Sequence, residues 1–506
     1  MFYCRELFII KDQMGKPLAR KCSQEVGFGL LVSFILCLVL YSLIYSSLLG
    51  VNNGVNLLVN KQVHPISVVK INRTEHPCSD RYIYIHEGLP SRFNYDFLNN
   101  CESLTAGAMT VSNISNMCPY FVNLGLGPVI ESSEGVLANE SWFSTNQFLL
   151  EVIFHNRMKQ YECLIENSTL ASAIYVPFYA GIDTSVHLLD PNLTARDSSA
   201  KDLVRWLSSK PEWKKMWGRD HFFVAGRVSW DFRRQRDNSS NWGSKLRFLP
   251  ESMNMSMLSI EGSAWKNDLA IPYPTSFHPT EDSEVVQWQK RVRKQERPHL
   301  FAFVGAPRAR QKNSIRGKLI DQCQASTNCK FLHCRKNNCD NPVTIMRVFQ
   351  SSVYCLQPPG DTSTRRSTFD SFVAGCIPVF FHPASAYTQY LWHLPKNHTK
   401  YSVFIPVRLA EDLKEGDIEK VLLGISKDRE LAMREEVIRL TPKLVYADPR
   451  SRLKTQDAFD LAVQGILERI GNVRKVIREG KDPSIGFAES DGGKFAFPKT
   501  NTNILY

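Results

Sequence analysis

The densest group of chemically active side chains in this sequence follows the β-rich run SVYCLQ at residues 352–357. The loop after it carries three hydroxyls and two guanidinium groups, at Thr362, Ser363, Thr364, Arg365 and Arg366. A helical pattern begins near Ser367 and presents its unsatisfied backbone N–H groups to the same place. Together these groups predict a receptor for a diphosphate. The alternative is a solvated loop whose arginines bind surface carboxylates, which contributes little free energy.

A second cationic loop follows another β-rich run, HLFAFVG at residues 299–305. Gly305, Arg308 and Arg316 occupy the equivalent position between a strand and a helix. Parallel strands place their carboxyl ends at one edge of a sheet, and ligands of open α/β folds bind there. Two cationic loops at one edge therefore favour anion binding by both. Asp370, one turn into the helix after the first loop, is placed to accept hydrogen bonds from ribose hydroxyls.

The elements that must position these loops alternate between short β-rich runs and helical patterns from Arg81 onward, which is typical of an α/β layered architecture. The charged stretch at residues 284–298 closes with a proline and indicates a boundary between two α/β domains. We predict six segments. In chain order they are a cytosolic tail (1–25), a transmembrane anchor (26–50), a stem (51–77), two α/β domains (78–285 and 286–478) and a C-terminal tail (479–506).

The predicted anchor is the uncharged run from Val26 to Gly50, which is long enough for one helix to cross a bilayer. Five cations and three anions precede it, and the next basic residue is Lys61, so the N-terminus is expected in the cytosol and the rest of the chain in a lumen. A cleaved signal peptide is the alternative, but its apolar region would be shorter, at about 7–15 residues.

Cysteines and glycosylation sequons agree with a luminal body. Ten of the thirteen cysteines follow the predicted span, so disulfides are expected, with their pairing left open. Zinc binding by the four cysteines between residues 323 and 339 is the weaker interpretation, because no C-x-x-C pair occurs. All eight sequons also follow the span, at Asn72, Asn113, Asn139, Asn167, Asn192, Asn238, Asn254 and Asn397.

Composition bounds the class of protein. The 506 residues are 43% hydrophobic and 22% charged, which excludes a mostly disordered, collagen-like or multi-span membrane chain. The net charge of +12 is concentrated at residues 201–320, where 23 basic residues accompany 12 acidic ones. That stretch includes the Arg308 loop, so the excess indicates an anionic ligand, and a luminal location argues against nucleic acid.

Four long segments carry an ordered pattern: FVGAPRARQKNSIRGKLIDQC, PPGDTSTRRSTFDSFVAGCIPVFF, NQFLLEVIFHNRMKQYECL and GRDHFFVAGRVSWDFRR. Together they resemble the exostosin-type glycosyltransferases, and within them the plant xyloglucan galactosyltransferases, over about residues 78–470. The resemblance implies a type II Golgi membrane enzyme of the GT-B type, with two facing Rossmann-like domains and the donor nucleotide on the second. It also implies inverting transfer of galactose from UDP-galactose to xylosyl side chains of xyloglucan, with other Golgi glycosyltransferases as potential partners.

The same resemblance assigns the donor ligands Arg308, Arg366 and Asp370. The sequence contains no Asp-x-Asp motif of the kind that chelates a metal for a sugar nucleotide. We therefore expect arginines and a helix dipole to neutralise the diphosphate, with no metal required and no permanently bound cofactor.

Inverting transfer also needs a base for the acceptor hydroxyl. Asp220 and His221, in GRDHFF, match the Asp-His motif of the family and are the predicted catalytic pair; a structural pair that braces the cleft is the alternative. Glu261 and Glu87 are other candidate bases. Four tryptophans in the first α/β domain could stack on a polysaccharide, but most are expected in the core: Trp213, Trp217, Trp230 and Trp242.

Two alternatives to the galactosyltransferase interpretation stay open. Donor choice depends on a few cleft residues, so the same fold could transfer galacturonic acid, arabinose or xylose to a plant glycan. A catalytically inactive, glycan-binding membrane protein is the other alternative, and the presence of Arg308, Arg366 and Asp370 argues against it.

Overall fold

The computed structural model describes residues 77–101, 117–188, 190–237, 242–307, 314–334, 339–406, 414, 416–482 and 487–494. The predicted cytosolic tail and anchor, and all but the last residue of the predicted stem, lie outside these ranges. Within the ranges, no helix combines the length and apolar character needed to cross a membrane. The fold contains two five-stranded sheets, and both belong to one compact unit.

Five parallel strands form the first sheet, in the order β1-β2-β3-β4-β5. They are β1 (Ile83–Ile85), β2 (Ala173–Tyr175), β3 (His221–Val228), β4 (Ser256–Glu261) and β5 (Asp268–Ala270). Every residue of β2 and β4 is buried, as expected for parallel strands covered on both faces. Three β-rich runs of the sequence, YIYI, AIYVP and FFVA, contribute to β1, β2 and β3.

Six helices accompany this sheet along the described chain. They are α1 (Tyr95–Asn99), α2 (Leu150–Met158), α3 (Ala180–Val186), α4 (Leu193–Ser208), α5 (Pro211–Met216) and α6 (Pro250–Asn254). Helix α4 is amphipathic: Leu203 and Leu207 are buried on one face, and Asn192 caps its first turn through the side chain.

The second sheet is also parallel, with the order β10-β9-β8-β6-β7. Its strands are β6 (His299–Gly305), β7 (Cys329–His333), β8 (Ser352–Gln357), β9 (Ile377–Phe380) and β10 (Val403–Phe404). Helix α7 (Asp282–Arg293) joins the two sheets. The helices between the strands of the second sheet are α8 (Ile315–Ala325), α9 (Pro342–Gln350) and α10 (Arg366–Val373). Strand order reverses between the neighbours β6 and β8, so the ligand-binding switch point of such a sheet lies between their carboxyl ends. Both predicted cationic loops start there.

Three helices follow the second sheet: α11 (Asp417–Leu423), α12 (Lys427–Leu444) and α13 (Ala458–Arg478). Helix α13 packs against the first sheet, because Ile466 and Ile470 share one buried cluster with Phe154 and Tyr175. The chain therefore returns to its first half after completing the second sheet. The predicted boundary between residues 285 and 286 falls inside α7, and the predicted domain limits stay a prediction.

All ten cysteines after the predicted span are paired. The disulfides are Cys78–Cys163, Cys101–Cys118, Cys323–Cys329, Cys334–Cys339 and Cys355–Cys376. The expectation of disulfides is confirmed, and the four cysteines considered for zinc form two bridges with each other.

Glycosylation stays a prediction, but five of the eight sequons can be placed. Asn72, Asn113 and Asn238 lie outside the described residues. The side chains of four others are exposed, at Asn139, Asn167, Asn192 and Asn397. Asn254 is half-buried, and its amide nitrogen donates to the Trp217 carbonyl at 2.9 Å.

Candidate active site

A cavity of about 1470 Å³ opens at the carboxyl ends of β6 and β8. One wall comes from the second sheet and includes five predicted ligands, Gly305, Arg316, Arg365, Arg366 and Asp370. The opposite wall comes from the first half of the chain. Pockets for single small ligands span about 300–1,000 Å³, so this cavity has room for more than one substrate. The structure thus brings the two cationic loops together, as the sequence predicted.

The arginine loop, which we define as residues 358–366, holds a charged donor without a partner. Arg365 donates from Nε to the Pro358 carbonyl at 2.6 Å, and its buried Nη2 has no hydrogen-bond partner within the described part of the chain. Gly360 permits this close packing, because a Cβ there would lie 2.4 Å from Arg365 Nη2. An unpaired buried charge is costly. A phosphate oxygen at this wall would supply the missing acceptor.

Arg316 brings a second guanidinium group to the same place. It lies in the first turn of α8, whose N-cap is Ser314, and its Nη1 donates to the Ala306 carbonyl at 3.3 Å. Its Nη2 would lie 3.1 Å from a Cβ at Gly360, so the two cationic loops are in contact. Arg308, another predicted ligand of the diphosphate, lies outside the described residues.

Arg366 is the first residue of α10, and its side chain crosses to the opposite wall. Its Nη1 donates to the Thr145 carbonyl, and its Nη2 donates to Ser276 Oγ at 2.8 Å. Its Nε lies 3.4 Å from Asp370 Oδ2. Burial raises the pKa of Asp370, and the Arg366 guanidinium opposes that shift. Arg366 therefore joins the two walls as well as facing the cavity.

Glu261, the last residue of β4, braces the arginine loop from the first sheet. Its Oε2 accepts hydrogen bonds from the backbone N–H of Thr364 at 2.7 Å and from Thr364 Oγ1 at 2.5 Å. Burial raises the pKa of this carboxyl, and the bonds from Thr364 oppose that shift. Ser363 does not line the cavity; its backbone N–H also binds Glu261. The carboxylate is already occupied by the loop, which fits a brace better than a base.

The predicted catalytic pair does not reach the cavity. Asp220 and His221 lie at the start of β3, and they are 1% and 0% exposed. His221 Nδ1 contacts Asp220 Oδ1 at 2.8 Å, and its Nε2 lies 3.3 Å from Nε2 of His86. The indole of Trp213 packs edge-on against the His221 ring. In this structure the pair is a buried brace, because a base must come within hydrogen-bond reach of the acceptor hydroxyl.

The wall formed by the first half of the chain contains residues that the motifs did not identify, among them Phe148, Arg227, Asp231 and Tyr273. Asp231 comes three residues after the end of β3. Ligands of open α/β folds bind beyond the carboxyl ends of the strands, so the position of Asp231 just after a buried strand is a sequence signal that could have identified it.

The expectation that most of the tryptophans are core residues is wrong. Trp213 is buried, but Trp217, Trp230 and Trp242 are 56%, 49% and 55% exposed. Among the four, only Trp242 lines the cavity. Its indole is therefore available to a ligand there.

Comparisons with known proteins agree with one another. A family model described as the exostosin GT47 domain matches residues 77–419. The chain is 55% identical to the probable xyloglucan galactosyltransferase GT14 of Arabidopsis thaliana, over 78% of this chain and 75% of that protein. It is 51% identical to the xyloglucan galactosyltransferase MUR3 of the same plant, over 84% and 68%. It is 40% identical to xyloglucan-specific galacturonosyltransferase 1, also of Arabidopsis thaliana, over 78% and 58%.

Proposed function

The chain belongs to the exostosin GT47 family of glycosyltransferases, and from that premise we propose that it transfers galactose from UDP-galactose, with inversion, to xylosyl side chains of xyloglucan. One observation carries the proposal: a cationic wall at the switch point of the second sheet, with the buried Nη2 of Arg365 unpaired among the described residues. It is a site for a nucleoside diphosphate in a chain that is 51–55% identical, over 78–84% of its length, to relatives named as xyloglucan galactosyltransferases.

The donor lies against the second sheet in this proposal. Arg365, Arg316 and the N-terminus of α10 bind the diphosphate, and Asp370 accepts from the ribose hydroxyls. As the bond to galactose breaks, negative charge develops on the leaving UDP, and fixed guanidinium groups stabilise that charge more than the ground state. The residues described so far supply this stabilisation by themselves, so we propose that no metal is required.

The acceptor occupies the opposite wall, beside Phe148, Arg227 and Trp242. A sugar ring stacks on an exposed indole face, and polar groups around it select the hydroxyl that is presented to the donor. Two parallel-sheet halves with the cavity between them suit the GT-B architecture, which we propose for this chain. Donor and acceptor then meet in one cavity large enough for both.

We further propose that the enzyme acts in the Golgi as a single-pass type II protein, anchored by residues 26–50. The observations behind this are the uncharged run, the basic residues before it and the sequons after it. The five disulfides suit an oxidising lumen. Complexes with other Golgi glycosyltransferases belong to the same proposal.

A second candidate is transfer of galacturonic acid to xyloglucan, since a relative named for that reaction is 40% identical. The two sugars differ at C6, where one has a hydroxymethyl group and the other a carboxylate. The cationic cavity would tolerate either. Transfer of arabinose or xylose, and a catalytically inactive glycan-binding role, remain further alternatives.

The deciding experiment incubates the purified full-length chain with xyloglucan oligosaccharides and a panel of UDP-sugars, namely UDP-galactose, UDP-galacturonic acid, UDP-xylose and UDP-arabinose. We expect a single hexose added in β linkage from UDP-galactose, detected by mass spectrometry and by the anomeric coupling in NMR. Turnover should persist in EDTA. Product from UDP-galacturonic acid alone would move the chain to the second candidate. Binding of oligosaccharide without any product would support the inactive role.

A further inference from the structure

We propose that Asp231 is the general base of the transfer, an inference that rests on the proposed function. An inverting displacement needs a group on the acceptor side that removes the proton from the attacking hydroxyl. Four carboxylates line the cavity within the described residues: Asp231, Asp340, Asp361 and Asp370. The last three belong to the second sheet, which binds the donor. Asp231 is the one that the acceptor wall contributes, and no described histidine or glutamate lines that wall.

Local geometry holds one oxygen of Asp231 and leaves the other open. The residue lies in a single helical turn, Ser229–Phe232, directly after β3, and it is 5% exposed. Arg227 Nε donates to Oδ2 at 2.6 Å, and Arg227 Nη1 is itself held by Ser185 Oγ at 3.0 Å. Within the described chain no donor binds Oδ1. The carboxylate is therefore oriented through Oδ2, and Oδ1 is free to accept the proton.

The same turn is fixed relative to the donor wall. Ser229 Oγ donates to the Glu261 carbonyl at 2.7 Å, so the turn that carries Asp231 is tied to the end of β4. The side chain of Glu261 holds Thr364, the residue before Arg365. Hydrogen bonds through Glu261 therefore connect the turn that carries the proposed base to the residue next to Arg365. Such a connection would keep the base and the leaving group at a constant separation.

A backbone contact holds the segment that follows Trp242 against Asp231. The backbone N–H of Ser244 donates to the Asp231 carbonyl at 2.8 Å. Gly243 has φ +83°, and a Cβ there would lie 2.2 Å from the same carbonyl oxygen, so only glycine allows this contact. The contact places the exposed Trp242 next to the base. Because Trp242 and Asp231 line the same cavity, a sugar ring stacked on the indole would lie on the same wall as the base.

The test compares Asp231→Asn with Asp321→Asn in the full-length chain. The control changes an exposed aspartate of α8 that does not line the cavity. For Asp231→Asn we expect kcat to fall by about 100-fold or more, because general bases typically contribute about 10²–10⁴-fold. The affinity for UDP, measured by calorimetry, and the melting temperature should stay close to wild type. Asp321→Asn should retain kcat within about threefold.

Two outcomes would overturn the assignment. One is wild-type kcat in Asp231→Asn; the other is an equal loss of kcat in both variants. If Asp231→Asn fails to bind UDP, Asp231→Glu replaces it, because a carboxylate one methylene longer keeps its partner Arg227. That variant should lose kcat about tenfold or more with UDP affinity intact, and unchanged kcat would again refute the role. The assay uses whichever UDP-sugar the wild type accepts, so an error in the proposed donor does not affect this result.

Discussion

The brace between Glu261 and the arginine loop allows a quantitative prediction. Glu261→Gln keeps the shape of the side chain but removes its charge and turns one acceptor into a donor. Oε2 now accepts two bonds from Thr364, at 2.7 and 2.5 Å, in a site that is 3% exposed. A glutamine carbonyl can keep both bonds, but its NH₂ group cannot accept from the Thr362 hydroxyl or the Ser363 N–H, which also bind this carboxylate. The arginine loop should therefore lose much of its preference for the observed conformation.

The size of the effect follows from the bonds themselves. A hydrogen bond to a charged group contributes about 1.5–3 kcal/mol, so loss of one bond between residue 261 and the loop costs the ordered loop about 2 kcal/mol. If the diphosphate binds only the ordered loop, its affinity falls with the population of that conformation. At about 1.4 kcal/mol per factor of ten, the Kd for UDP should rise by up to about 30-fold, the limit that applies once the ordered loop is the minor conformation.

Calorimetric titration of UDP into the full-length chain measures this directly. Glu87→Gln is the matched control, because Glu87 is an exposed glutamate near the carboxyl end of β1 in the same sheet. The control should bind UDP as the wild type does. An unchanged Kd in Glu261→Gln would show that the loop is ordered without the brace, and the reasoning would fail. A lower melting temperature with an unchanged Kd would refute it equally, because the bond would then stabilise the fold and not the donor site.

Three further predictions address the donor wall, the buried pair and the dependence on pH. Arg365→Ala should weaken UDP binding about tenfold or more, since a charge-assisted bond to phosphate is lost, whereas Arg365→Lys keeps the charge and should lose less; equal affinities by calorimetry would contradict this. His221→Ala should lower the melting temperature while kcat stays within about threefold, and a lost kcat at an unchanged melting temperature would restore His221 as the base. Burial lowers the pKa of four histidines from 6.5 to about 3 or 4, at His86, His155, His278 and His393. The unfolded chain binds protons that the folded chain excludes, so each histidine should lower stability by about 1.4 kcal/mol per unit as the pH drops below 6.5. Glu151, whose pKa burial raises to about 8, offsets about one histidine's share of this fall; a flat denaturant midpoint between pH 7 and 5 would be inconsistent with the net loss.

Much of the architecture could be predicted from local pattern. The β-rich runs HLFAFVG and SVYCLQ, which alternate along the chain with helical patterns, indicated the strands of an α/β fold, because propensity and burial act within a few residues. The two cationic loops could also be placed together from sequence, since the carboxyl ends of parallel strands share one edge. An even count of ten cysteines indicated bridges, but their pairing depends on which elements become neighbours.

The opposite wall could not be predicted in this way, and the physical reason is the direction of side chains in space. The sequence indicated His221 as the base and did not single out Asp231, although both lie in GRDHFFVAGRVSWDF around one strand. Tertiary packing buries the first beneath Trp213 and places the second at the cavity, beyond the end of β3. Likewise, Glu261 contacts the loop at Thr364 only because β4 and β8, with 90 residues between them in the chain, end at the same cavity. Residue types and spacing determined the fold class and the position of the two cationic loops. Packing between distant segments decided which polar groups are already hydrogen-bonded and which are left open for a substrate.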